Sequence, residues 1–158
     1  MIAAVGEIHT LTDIAGIWRP WIFSWTPSLT DGEPAAWEGP VRNQLARLSR
    51  LEKGWDGYGA GPIRRDVLIF AAELLYNVMS RNTPAPHITP MSHEGVMLEW
   101  HESGIDLEIE IEAPGDIWVS FVDSVRGIDN EWPLKANFDS LSQPVYDLTS
   151  RSAPRRAS

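Results

Sequence analysis

Apolar residues along this chain recur with two different periods, and each period predicts a different kind of element. Val41, Leu45 and Leu48 return at helical spacing while Arg42, Arg47 and Arg50 take the other faces, which is the pattern of an amphipathic helix. Gly54 is the expected stop, because a C-terminal glycine takes the left-handed conformation that caps a helix. A second helix is expected after Pro62, a residue suited to a first turn. Val67, Phe70, Ala71, Leu74, Leu75 and Val78 form its apolar stripe, and its end is expected near Arg81-Asn82-Thr83-Pro84.

Between Val96 and Ile111 the period shortens to two. With Ser103-Gly104 as a two-residue turn, Trp100 faces Leu107, Leu98 faces Ile109 and Val96 faces Ile111, so apolar meets apolar at three successive rungs. The opposite face then pairs His101 with Asp106, Glu99 with Glu108 and Met97 with Glu110. A second turn at Ala113-Pro-Gly-Asp116 leads to Ile117, Val119 and Phe121, a third alternating strand. The expected fold class is α+β, with two helices packed on the apolar face of an antiparallel meander of three or more strands.

The remaining segments carry weaker patterns. Residues 1–40 form a Trp- and Pro-rich N-terminal segment in which Leu11, Ile14, Trp18, Trp21 and Trp25 follow helical spacing. Pro20 would break such a helix, and Trp21, Phe23 and Trp25 equally alternate like a strand, so the segment stays unassigned. Thr30-Asp-Gly-Glu-Pro34 reads as a turn. Residues 41–138 are taken as the α+β core domain. Residues 139–158, rich in Ser, Pro and Arg and ending with Arg151, Arg155 and Arg156, are expected to be a disordered basic tail.

Composition narrows the functional classes. The 158 residues include no cysteine and carry a formal net charge of −9, which excludes disulfides, thiolate metal sites and a cysteine nucleophile and suits a reducing cytoplasm. Glu7 stands where a secretory leader would carry early positive charge, and no apolar run reaches membrane-spanning length, so a soluble cytoplasmic protein is expected. The acidic balance argues against a phosphate-backbone binder. Residues 94–131 hold eleven acids against Arg126 alone, so this stretch concentrates the negative charge.

Three features are candidates for chemistry. The loop Gly54-Trp-Asp-Gly-Tyr-Gly-Ala60 implies several positive φ angles, with Trp55 and Tyr58 as anchors. Asp56 is read as an Asx-turn former, or alternatively as a ligand or base. Neither a dinucleotide-binding nor a Walker pattern is present. This loop, with Leu98-Glu-Trp100 and Asp106-Leu-Glu-Ile-Glu-Ile111, resembles an uncharacterised group of small bacterial proteins with a W-D-G-Y-G-A loop, over roughly residues 41–122. The resemblance implies an α+β domain and a bacterial or mobile-element origin, and brings no catalytic residues.

The second feature is the outer hairpin face, where Glu99 opposes Glu108 beside Asp106, Glu110 and His101. Like charges across a ladder are destabilising unless neutralised. The face is a solvated surface, a docking site for a basic protein partner, or a divalent metal site with oxygens from Glu99, Glu108 and Asp106 and a nitrogen from His101; as an enzyme centre the set would be Asp56, Glu99, His101 and Glu108. The third is the tryptophan set, of which Trp18, Trp21 and Trp25 are candidate partner contacts. His87 and His93 read as loop residues, and no nucleophile or zinc-protease motif appears. The leading expectation is a non-enzymatic interaction protein of antitoxin or inhibitor type that needs no cofactor, contacts neither nucleic acid nor membrane, and binds its partner through Glu99, Asp106, Glu108 and Glu110. The alternative is a metal-dependent enzyme acting on phosphoesters.

Overall fold

The computed structural model describes residues 33–135 and 137–152. Trp18, Trp21 and Trp25 lie outside them, as do Arg155 and Arg156. Helix α1 (Glu38–Leu48) buries Val41, Leu45 and Leu48 on one stripe, as their spacing dictates. The Glu38 carboxylate accepts the Ala35 N–H at 2.9 Å and so satisfies a donor just ahead of the helix. The helix ends six residues before Gly54, which corrects the expected cap. Leu48 is the last buried position of the stripe, and tightened bonds from Arg50 N–H to Arg47 O and from Leu51 N–H to Leu48 O close the turn there.

Helix α2 (Arg65–Val78) starts three residues after Pro62, so that proline precedes the first turn. Asp66 in that turn accepts the Val67 N–H, and the negative side chain suits the helix N-terminus. Its buried face is Val67, Leu68, Ala71, Ala72, Leu74 and Leu75. Phe70 and Val78, expected on the stripe, are half-buried at its margins, because α2 packs on the sheet and on α1 together and so buries a broader arc than one stripe.

Five strands form an antiparallel meander in chain order: β1 (His87–Pro90), β2 (Val96–Glu102), β3 (Ile105–Ala113), β4 (Asp116–Asp123) and β5 (Ile128–Pro133). The fold is α+β. The β2–β3 register matches the expected hairpin at every rung, with Ser103 and Gly104 both at positive φ in the turn. Two strands extend the expected three, and His87 belongs to β1 instead of a loop. The inner face stacks Ile88, Leu98, Ile109 and Val119 in one row and Trp100, Leu107 and Phe121 in another, all buried.

Over the described residues 139–152 the structure corrects the expected disordered tail. After a short 3₁₀ turn (Asp139–Leu141), helix α3 (Ser142–Ser152) buries Val145 and Leu148 together with Leu141. Those three residues stand at helical spacing, an apolar stripe that the Ser, Pro and Arg content conceals. The core also begins before residue 41. Ala35 and Trp37 are buried, the Trp37 indole N–H donates to Ser80 O at 2.9 Å, and its ring stands edge-on to Tyr76. The compact unit starts at Glu33.

Candidate functional site

Strand alternation sends every second residue to the sheet's outer face, and the register aligns these residues in rows. One row runs His87, Glu99, Glu108, Ser120, Glu131, and the next runs His101, Asp106, Val122, Asp129. A third runs Thr89, Met97, Glu110, Trp118, Pro133. Glu99, Asp106, Glu108 and Glu110 therefore share one surface, as expected. Asp129 and Glu131 join them from β5, and Trp118, 45% exposed, stands beside Glu110. Sequence reasoning missed these three, although Ile128, Asn130 and Trp132 alternate with Asp129 and Glu131 in a strand-like way. No Lys or Arg lies on these rows among the described residues.

Within the face, the Glu99–Glu108 rung is moderated by neighbours. Glu99 Oε2 accepts the Thr89 hydroxyl at 3.0 Å, and its Oε1 lies 3.9 Å from His101 Nε2. His101 Nδ1 is 2.7 Å from Asp106 Oδ1, and this hydrogen bond, with the Glu108 and Glu99 carboxylates nearby, raises the imidazole above its ordinary pKa. One ligand atom each from Glu99, His101 and Glu108 lie within 4.8 Å of one another. A nitrogen and two carboxylate oxygens are a donor set for a divalent ion. Asp56, the fourth expected ligand, is not in this group.

Asp56 instead organises its own loop. Its Oδ1 accepts the N–H groups of Tyr58 at 2.9 Å and Ala60 at 3.0 Å, and these bonds, that from Ala60 first, lower its pKa. Gly54 N–H closes the loop on Ala60 O at 2.7 Å, and Gly54, Gly57 and Gly59 all take positive φ. Trp55 is half-buried and donates to Gly61 O at 2.9 Å, so it anchors the loop. Tyr58 does not. It is 95% exposed, because the turn that Asp56 caps projects residue 58 into solvent.

A second charged cluster lies on the inner face, where sequence reasoning placed no function. Asp123 has no exposed surface and is clamped by Arg151 of α3 through two bonds of 2.8 and 2.6 Å. Arg126 donates to the same carboxylate and to Asp147, and the Val125 and Arg126 N–H groups complete its shell. The Arg151 hydrogen bonds lead the causes that hold Asp123 well below the usual carboxylate range. Such a fully bonded carboxylate is a structural joint between sheet and helix. His93 pairs with Glu112 at the other end of the sheet.

Among the described residues no helix is long and apolar enough to cross a membrane. Comparison of the chain with protein-family models, curated proteins and solved structures found no match.

Proposed function

We propose that the protein is a non-enzymatic interaction protein of antitoxin or inhibitor type, working in the cytoplasm, whose acidic sheet face binds a basic protein partner. One observation supports it above others: Glu99, Asp106, Glu108, Glu110, Asp129 and Glu131 share three adjacent rows of the outer face in which no Lys or Arg stands among the described residues. A surface of one sign raises the encounter rate with an oppositely charged partner and fixes its orientation. It also leaves repulsion within the face that a cation or a basic partner relieves. In this reading Trp18, Trp21 and Trp25 are also partner contacts.

The test is the association rate of a labelled oligolysine peptide with the full chain across a range of ionic strengths. The rate falls steeply as salt rises, since exposed charges are screened over about 8 Å at physiological ionic strength. Glu99→Lys and Glu108→Lys, each tested singly, slow it. Salt-independent rates identical in all three proteins would overturn the reading.

The second reading is a metal-dependent enzyme acting on phosphoesters, in which Glu99, His101 and Glu108 would hold the ion. Melting with EDTA, Mn²⁺ or Mg²⁺ separates the two. A metal-dependent rise in Tm that Glu108→Gln abolishes favours the enzyme, and coincident curves oppose it.

A further inference from the structure

The sheet has two outer strands, β1 and β5, and their open edges differ. On β1 the edge is closed by a side chain: Gln44 of α1 donates to Pro86 O at 2.9 Å and accepts the Ile88 N–H at 2.8 Å, as a neighbouring strand would. Pro90 removes a further donor from that edge. Directly after β5 the Leu134 N–H bonds to Ile117 O, which sets the phase of the ladder with β4. Antiparallel alternation then turns Ile128, Asn130 and Trp132 toward β4, and turns the N–H and C=O groups of Asp129 and Glu131 outward. Among the described residues no strand or side chain pairs with them.

Beside this edge runs a groove of about 490 Å³ between β5 and α3. Phe121, Ile128, Trp132 and Pro144 supply its apolar lining, and the Arg126–Asp147 ion pair stands at its side. The edge therefore offers three things at once: main-chain groups unpaired among the described residues, apolar space on the inner side, and the Asp129 and Glu131 carboxylates on the outer side.

We propose that the β5 edge accepts an extended segment of a protein partner as a sixth, antiparallel strand, with basic side chains over the outer face alternating with apolar side chains in the groove. Charge complementarity selects this occupant. A second copy paired edge to edge about Asn130 would set Asp129 opposite Glu131 twice, a like-charge arrangement that disfavours it. The inference rests on the acidic-face reading and adds to it main-chain hydrogen bonding, which supplies affinity in strand addition while alternate side chains supply specificity.

Geometry makes the test specific. In the added strand the residues opposite Asp129 and Glu131 are the basic ones, and their own N–H groups point at β5, whereas the N–H groups of the apolar residues point away. The probe is a labelled peptide of four Lys-Val repeats, titrated into the full chain by fluorescence anisotropy. Methylating its lysine amide nitrogens weakens binding by about tenfold or more, and methylating its valine amide nitrogens leaves binding close to that of the parent peptide. On the protein, Glu131→Pro, which removes an outward donor that the ladder does not use, weakens binding more than Glu131→Gln does.

Equal binding by all three peptides, with a steep salt dependence, would overturn strand addition and leave the acidic-face reading standing. Absence of binding by the parent peptide at low salt would also overturn it, and would mean that Asp129 and Glu131 only guard the edge against pairing. The acidic face is then judged separately by the Glu99→Lys and Glu108→Lys rates. The peptide comparison uses the unaltered protein, so it decides the matter even where Glu131→Pro impairs folding.

Discussion

Asp123 is a carboxylate on the apolar side of a sheet, and it is tolerable there because two guanidinium groups and two backbone N–H groups neutralise and bond it. Its folded pKa lies below the unfolded value, so the stability it contributes is complete above about pH 4 and is lost as pH falls through the folded value. Asp123→Asn is expected to melt well below wild type at pH 7. The gap between the two melting curves narrows below about pH 4, and a gap constant from pH 7 to pH 2 would contradict the linkage. The W-D-G-Y-G-A loop offers a contrast at the same scale. Trp55→Ala removes a half-buried ring and its bond to Gly61 O, and chemical denaturation should show a loss of about 2–3 kcal/mol. Tyr58→Ala touches a ring in solvent and should stay within about 0.5 kcal/mol of wild type.

Elements in this protein stand on stripes of buried side chains, and α3 depends on a narrow one. Leu141, Val145 and Leu148 are its buried residues with Pro144, and outside this stripe Arg151 ties the last turn to Asp123. Leu148→Ala is expected to cost about 2–5 kcal/mol in urea unfolding. A change within about 0.5 kcal/mol would show that the helix is not integral to the fold. The β2–β3 hairpin is the opposite case, an element whose register follows from local sequence alone. A one-residue slip would carry Val96, Leu98 and Trp100 to the outer face and bring Met97, Glu99 and His101 into the core. Helix ends were less legible, because Gly54 and Pro62 are used by the loop between the helices and not by the helices themselves.

At the scale of the whole molecule, the compact unit from Glu33 places three helices and five strands around one core. A chain beginning at Glu33 is expected to melt in one cooperative transition, whereas one beginning at Val41 loses the buried Ala35 and Trp37 and melts at lower temperature. Equal melting temperatures would contradict the place given to Trp37. The sequence by itself determined the α+β class, both central helices, the β2–β3 register and the existence of the next strand, because period and rung matching are local properties that one face of burial enforces. It also determined the Asp56 turn, since an Asx residue among glycines meets its own loop's N–H groups. Only the tertiary structure decided the rest. Strand β5 has no fully buried residue and is placed by its pairing with β4; Arg151 meets Asp123 across 28 positions of chain, and Asp129 and Glu131 join the acidic face through that same pairing. Contacts between distant segments depend on how elements pack, and no local period encodes them.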